Sequence, residues 1–341
     1  MHDDSPSNIV SLPFLAAARA ASAPALGRFG ALYGGSEAMQ DIYRRIDKVA
    51  PKSATVLIVG ESGSGKEVVA RTIHDRSARA RGPFVAVNCG AIPGNLIEAE
   101  LFGYEKGSFT GAARMHRGCF ERAEGGTLFL DEVTEMAPEM QVRLLRVLET
   151  GHFTRVGGED ELRSRVRVIA ATNREPRQAV IDGHLREDLM YRLAVFPIAL
   201  PPLRDRDGDA ELLAEHFLAE LNEAEGAEKA FSRQSISTIR AHRWPGNVRE
   251  LKNAVQRAFI LADGEVELDF AGLDCVTPTG NCLRIPVGTP LAEIERMAIY
   301  ATLDLCEGNK RRCAEMLGVS LKTLYNRLAE YQSGDIEIAT V

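Results

Sequence analysis

The five residues Thr55-Val56-Leu57-Ile58-Val59 run straight into Gly60-Glu61-Ser62-Gly63-Ser64-Gly65-Lys66. A short β-branched run bounded by glycine reads as a buried parallel strand. Glycines at this spacing let backbone N–H groups curl around a phosphate, and a helix opening just after them adds its positive dipole end. Lys66 is then placed to reach the β- and γ-phosphates as a point charge. Glu67 stands where a hydroxyl ligand to magnesium usually follows the lysine, so that ligand is missing at this place. A glycine-rich stretch alone could be a turn. Between a strand and a helix it predicts a nucleotide site built from Gly60, Glu61, Ser62, Gly63, Ser64, Gly65, Lys66 and Glu67.

Three more short apolar runs follow, at 84–87, 127–130 and 166–170. Helical patterns separate them, as at 140–149, where Val142, Leu145 and Leu148 recur. Ahead of the first strand, Met39, Ile42, Ile46 and Val49 recur at helical spacing over 36–50. Alternating strands and helices predict an α/β fold, a parallel sheet sandwiched by helices. Such sheets bind ligands beyond the carboxyl ends of their strands. Asp131 and Glu132 end the third strand there, Asp131 to hold magnesium directly or through water and Glu132 to polarise the attacking water. Thr172 and Asn173 end the fourth, with Asn173 placed to orient the water or sense the γ-phosphate. Asn88, after the second strand, reads by itself as a strand-end amide with local hydrogen bonds. Arg186 and Arg192 open two readings. An arginine from a neighbouring subunit can stabilise transferred phosphoryl charge. Beside Glu187 and Asp188, surface ion pairing is the plainer reading.

At 341 residues the chain is long for one domain. The α/β part is expected over 31–200. After Pro201-Pro202 helical patterns at 209–223, 232–242 and 248–262 predict a small helical lid over 201–272. Residues 273–290 read as a linker, 291–331 as a last helical unit and 332–341 as a tail. Residues 1–30, rich in Ala, Ser and Pro, read as a poorly ordered arm. Its apolar part follows Asp3 and Asp4 rather than a basic cluster, which argues against a secretory signal. No apolar run approaches the roughly 18 residues of a membrane span, so no membrane partner is expected. A net charge of -7 excludes a generic polyanion binder and confines any nucleic-acid contact to a local patch. Cys89, Cys119, Cys275, Cys282, Cys306 and Cys313 form no C-x-x-C pair, which suits a reducing cytoplasm. Cys275 and Cys282 alone are too few for a tetrahedral metal site.

Near the C-terminus, 309–317 places Cys313, Met316 and Leu317 on one face. Gly318-Val319-Ser320 makes a turn, and 321–331 turns Leu321, Leu324, Tyr325 and Leu328 inward. Two short helices around a glycine-containing turn predict an all-α helix-turn-helix. Lys322, Thr323, Asn326 and Arg327, with Ser320 beside them, then face the major groove. Lys310, Arg311 and Arg312 meet phosphates, which position rather than specify.

In this order the motifs resemble the central domain of the sigma-54-dependent bacterial enhancer-binding proteins, transcription activators of the AAA+ class. The resemblance rests on 60–67, where glutamate after the lysine is the family's own form, and on Glu98-Ala99-Glu100-Leu101-Phe102-Gly103. It continues through Gly107-Ser108-Phe109-Thr110-Gly111-Ala112 and Gly125-Gly126-Thr127-Leu128-Phe129-Leu130-Asp131-Glu132. It ends in 186–193 and in Trp244-Pro245-Gly246-Asn247-Val248-Arg249-Glu250-Leu251. It covers 31–270 and resumes over 291–331, where Gly308-Asn309-Lys310 and Lys322-Thr323-Leu324-Tyr325-Asn326-Arg327-Leu328 resemble a Fis-type domain.

The resemblance implies roles that the residues alone leave open. Gly107, Ser108, Phe109, Thr110, Gly111 and Ala112 would touch sigma-54, with Ser108 where alanine is usual. Flanking glycines permit movement, and Phe109 offers an aromatic anchor at the tip. Asn88 would pair with Glu132 and relay the γ-phosphate state, Arg186 and Arg192 would act in trans, and Arg249 in the lid would sense nucleotide. The implied protein uses ATP and Mg2+, assembles into a ring expected to be a hexamer, and binds upstream enhancer-like DNA. It would remodel closed complexes of sigma-54 RNA polymerase into open ones. Residues 1–30 are too few for a sensory domain, so either regulation comes in trans, from a partner protein or from expression level, or a sensory domain has been lost. Two other readings are a regulator that uses nucleotide only as a ligand, which the loop argues against, and a remodeller of another protein, which the helix-turn-helix argues against.

Overall fold

The computed structural model describes residues 27–94, 96–268, 288–306 and 308–333. The chain divides into two units, Met1–Asp269 and Phe270–Val341. The first opens on a small hairpin, β1 (Arg28–Phe29) with β2 (Leu32–Tyr33), so the end of the expected arm is in fact paired. Helix α1 (Glu37–Val49) starts at Ser36, whose hydroxyl accepts from Met39 N, and buries Met39, Ile42, Tyr43, Ile46 and Val49. At its far end Arg167, itself buried, donates to the carbonyls of Val49 (2.9 Å) and Ala50 (2.8 Å), which the helix leaves without partners.

The α/β alternation then runs as expected. Strand β3 (Val56–Val59) leads to α2 (Lys66–Asp75), and β4 (Phe84–Asn88) to α3 (Ile97–Phe102) and α4 (Cys119–Arg122). Strand β5 (Thr127–Asp131) leads to α5 (Pro138–Thr150) and a hairpin of β6 (His152–Thr154) and β7 (Glu161–Arg163). Strand β8 (Arg167–Thr172) is followed by α6 (Pro176–Ile181), α7 (Glu187–Leu193) and β9 (Phe196–Ala199). The sheet is parallel, in the order β4-β5-β8-β3-β9. Sequence reasoning missed β9, because Pro197 breaks its pattern. Proline has no N–H to give, and β9 sits at the sheet edge, where one side needs no partner.

Alternate strand residues face opposite layers. Val56, Ile58, Ile169 and Ala171 pack with Ile46 and Ile73 of α1 and α2. Leu57, Leu128, Leu130 and Val168 pack with Leu144 and Leu189 of α5 and α7. Each large apolar side chain so buried stabilises the fold by about 1.5–3 kcal/mol. The lid follows, with α8 (Asp209–Glu225), α9 (Arg233–Ala241), α10 (Asn247–Leu261) and a short parallel pair, β10 (Ala230–Phe231) with β11 (Glu265–Val266).

The second unit holds α11 (Leu291–Leu305), α12 (Lys310–Leu317) and α13 (Leu321–Ser333) around Ile299, Cys306, Cys313, Ala314, Leu324 and Leu328. Gly318 ends α12 in the left-handed conformation, and Ser320 accepts from Thr323 N at 3.0 Å. Two inward assignments are corrected, since Leu321 (42%) and Tyr325 (50%) are exposed, and Met316, on the face that carries Cys313, is exposed as well (54%). Periodicity gives a direction around the helix but not the width of the covering surface. Along α13, Leu324 and Leu328 are buried and Tyr331 packs partly buried beside them, while Leu321 lies in the uncovered first turn. Residues 1–26, the linker stretch with Cys275 and Cys282, and the tail from 334 lie outside the described residues.

Candidate active site

The parallel sheet brings four strand ends to one rim. Val59 pairs with Thr172, Asn88 pairs with Asp131, and Gly60 N donates to Thr172 O at 3.1 Å. The phosphate loop, Asn88, Asp131, Glu132, Thr172 and Asn173 therefore converge from residues far apart in the chain. Lys66 opens α2 and is buried to 7% exposure. Its ammonium donates to Gly60 O (2.9 Å) and Glu61 O (3.3 Å). Burial holds its pKa below the usual lysine value, opposed by the charges of Asp131 and Glu132. Ser64 Oγ is buried without a hydrogen-bond partner inside the same loop.

Glu132 has φ +52°, a left-handed conformation that costs a non-glycine residue energy. Its N–H donates to Asp131 Oδ1 at 3.0 Å. Asn88 Oδ1 accepts from Gly90 N (2.9 Å) and Ala91 N (3.0 Å). That is the local pattern read from the residues alone, and no Asn88–Glu132 hydrogen bond occurs. Both side chains still border Gly90, where an added Cβ would lie 3.2 Å from Glu132 Oε2 and 3.5 Å from Asn88 Oδ1. Thr172 is buried with its hydroxyl 3.1 Å from Thr134 Oγ1, and Asn173 is exposed on the rim.

The lid grips the loop through residues that sequence reasoning left unassigned. Asn247, fully buried with φ +55°, donates to Glu61 Oε2 (3.0 Å) and Ser62 O (3.1 Å) and accepts from Leu203 N (2.8 Å). Arg204 pairs with Glu61 at 2.6 and 2.9 Å. Arg206 donates to Ser64 O at 3.0 Å. The expected lid contact, Arg249, reaches Ser62 Oγ at 3.0 Å. Gly63 passes so close to the Gly246 carbonyl, at φ +75°, that no side chain would fit there. Beside the loop opens a cavity of about 480 Å³ whose wall includes Leu32, Tyr33, Gly65, His216, Phe217 and Val248. Tyr33 stacks on His216 with ring centres 3.6 Å apart. Among the described residues no group of three or more His, Cys, Asp or Glu could hold a metal.

Arg192 is not brought to this rim. Arg186 pairs with Asp188 at 2.7 Å. Arg192 donates to Leu148 O, and its own carbonyl accepts from Thr55 Oγ1 at 2.9 Å, at the opposite end of β3 from the phosphate loop.

The loop after α3 stands apart. Tyr104 and His116 pair across its base, and Gly107 N donates to Ala112 O at 2.8 Å. Phe109 is 42% exposed, edge-on to Tyr104 at 4.9 Å. The stretch between β6 and β7 braces it, through Arg155 to Glu105 (2.6 Å) and through Gly157 against Ser108. Arg155 also pairs with Glu121 at 2.7 Å. In the helix-turn-helix, Lys322, Thr323 and Asn326 are exposed, whereas Arg327 is held by Glu295 at 3.0 Å. Lys310 covers the Tyr325 ring at 4.7 Å, and Arg311 lies 3.7 Å from Glu315.

A parallel sheet with a phosphate loop at an inner strand, an acidic rim and a helical lid that holds the loop defines an AAA+ ATPase. The Sigma-54 interaction domain family matches residues 32–199, the AAA+ ATPase lid domain 204–273, and the Fis family of bacterial regulatory proteins 290–331. The chain is 44% identical to the transcriptional regulatory protein FlbD of Caulobacter vibrioides, over 88% of this chain and 70% of FlbD. It is 46% identical to the transcriptional regulatory protein ZraR of Escherichia coli, over 89% of this chain and 69% of ZraR. The crystal structure of NtrX from Brucella abortus in complex with ATP superposes with a TM-score of 0.66 at 37% identity, over 89% of this chain and 69% of NtrX. The chain belongs to the sigma-54-dependent transcriptional regulators that join an AAA+ ATPase domain to a Fis-type DNA-binding domain.

Proposed function

We propose that this chain hydrolyses ATP between subunits of a ring and uses the Phe109 loop to remodel sigma-54 RNA polymerase from the closed to the open promoter complex. The observation that carries the reading is the exposure of Phe109 at the tip of a glycine-bounded loop, braced at its base by Arg155 and Gly157. An exposed aromatic on a glycine-bounded tip is a suitable anchor for a protein partner.

The placement of Arg192 supports the ring. Its backbone is tied to Thr55, and the path along β3 to Gly60 is roughly 17 Å at about 3.3 Å per residue, beyond the reach of one side chain. Any phosphate it meets belongs to a neighbour, which implies a closing head-to-tail interface. Glu132 polarises the water, Lys66 and the loop amides hold the phosphates, and the incoming arginine stabilises the transferred charge. Mg2+ fits this rim. It needs only one or two carboxylates beside phosphate oxygens and water, and Asp131 Oδ2 makes no hydrogen bond among the described residues. Bound there by Asp131, the ion would neutralise phosphate charge. Lys310, Arg311 and Arg312 meet DNA phosphates and α13 enters the major groove, holding the ring near the promoter by looping.

Single-round transcription with sigma-54 polymerase, on a template carrying an upstream site selected by the chain, tests the reading. Transcripts should appear with ATP and not with a non-hydrolysable analogue. Equal output in both would overturn it.

A further inference from the structure

Asp209 opens α8 with only 1% of its surface exposed. Its carboxylate accepts three hydrogen bonds from the segment ahead of α1. Gly35 N (2.6 Å) and Ser36 N (2.9 Å) donate to Oδ1, and Ser36 Oγ (2.9 Å) donates to Oδ2. Gly34 is drawn into the same contact, since its carbonyl accepts from Tyr43 OH at 3.1 Å and an added Cβ would lie 2.7 Å from Asp209 Oδ2. A carboxylate removed from water survives only when hydrogen bonds replace its hydration, so this clasp is a specific arrangement and not a loose surface contact.

The segment held in this way is a strap across the nucleotide site. Ala31, Leu32 and Tyr33 line the cavity of about 480 Å³ beside the phosphate loop. The same lid segment grips the site at two more points. Seven residues along α8, about two helical turns, His216 stacks on Tyr33. Just before α8, Arg206 lines the cavity and donates to the Ser64 carbonyl. Strap, phosphate loop and lid are thus tied through the first turns of one helix.

We propose that Asp209 is a positioning residue for nucleotide binding, clasping the strap at Gly35 and Ser36 so that the wall carrying Leu32 and Tyr33 is already formed when ATP arrives. The inference rests on the ATP site described above. Without the clasp the strap must be ordered at each binding event, and that conformational entropy is subtracted from affinity. Because the clasp belongs to the lid, lid movement carries the strap with it.

The test compares Asp209→Ala with Leu218→Ala, which truncates a buried side chain on the same helix away from the strap. Steady-state ATPase kinetics, affinity for a fluorescent ADP analogue and melting temperature are read on the full-length chain. Asp209→Ala should raise both KM for ATP and Kd for the analogue about tenfold, with kcat falling less than threefold. Leu218→Ala should lower the melting temperature and leave KM and Kd within about twofold. If Asp209→Ala does not fold, Ser36→Ala removes one of the three bonds and should raise Kd about threefold. An unchanged Kd in Asp209→Ala or in Ser36→Ala overturns the proposal, as does an equal rise in Leu218→Ala. Saturable binding of the analogue by the wild-type chain separates that outcome from a failure of the ATP site itself.

Discussion

Arg192 donates two hydrogen bonds, at 2.7 and 3.1 Å, to the carbonyl of Leu148 in the last turns of α5. A guanidinium at a helix C-terminus satisfies an orphan carbonyl and the negative dipole end, so this is a stable resting place. Acting on a neighbour's phosphate requires leaving it. Arg192→Ala should therefore lower ATPase activity with little loss of fold. Mixed with Lys66→Ala protein, it should regain part of the turnover, since each subunit supplies what the other lacks. Absence of rescue, under conditions where subunits exchange, would remove the trans role.

Glu132 is held at φ +52° beside Asp131 at the end of β5. Glu132→Gln keeps the shape and removes the base. ATP binding should stay within a few fold while hydrolysis falls by about 10²–10⁴, the usual contribution of a general base. Turnover near the wild-type rate would take Glu132 out of the site.

Arg204, with help from the Asn247 amide, holds the Glu61 carboxyl down to about 2 from its ordinary 4.5. A depressed folded-state pKa means that the stabilisation is present above about 4.5 and is lost as pH falls toward 2. Both side chains are about 40% exposed, so salt screens the pair. Urea midpoints of wild type and Glu61→Gln should differ by a constant amount from pH 7 to 5 and converge below 4.5. High salt at pH 7 should narrow the gap. A gap that widens in acid would contradict the pairing.

What was legible in the sequence and what was not divide along physical lines. The phosphate loop, Asp131-Glu132 and Phe109 sit in short contiguous motifs, where local chemistry is visible in a row of letters. The lid contacts are different. Asn247 meets Glu61 across 186 positions and Asp209 meets Ser36 across 173, and only the folded topology creates those neighbours. Nothing local marks Tyr33 and His216 as partners. Periodicity gave the register of α13 but not how much of it is covered, hence the misplacement of Leu321 and Tyr325. Arg155 was hidden for a further reason, since its partners Glu105 and Glu121 belong to separate segments that only the loop's return brings together.

Ser108 Oγ is buried without a hydrogen-bond partner, where Gly157 packs against the side chain. An unsatisfied buried hydroxyl costs about 1–3 kcal/mol. Ser108→Ala removes it and opens almost no space. The variant should melt a few degrees higher, at about 2–4 °C per kcal/mol for a domain of this size, with unchanged ATPase activity. A lower melting temperature would show that the hydroxyl has a partner in solution.

Phe109 separates the engine from its tool. At 42% exposure, with Tyr104 as its aromatic neighbour, it gives the core little, so Phe109→Ala should leave ATP binding, assembly and most ATP hydrolysis in place. Binding to sigma-54 in the presence of a transition-state mimic of ATP should nevertheless fail, and open-complex formation with it. Truncating an aromatic anchor at an interface commonly costs about 2 kcal/mol or more, which is roughly thirtyfold in affinity at each engaged subunit. A Phe109 that served the core would behave otherwise, because losing a buried phenylalanine costs about 3–5 kcal/mol and would depress folding and ATPase activity together. The decisive experiment pairs melting temperature and ATPase rate with sigma-54 pulldown on the same protein. A folded, ATP-hydrolysing variant that no longer retains sigma-54 is the expected result. One that still activates transcription normally would sink the assignment of this loop.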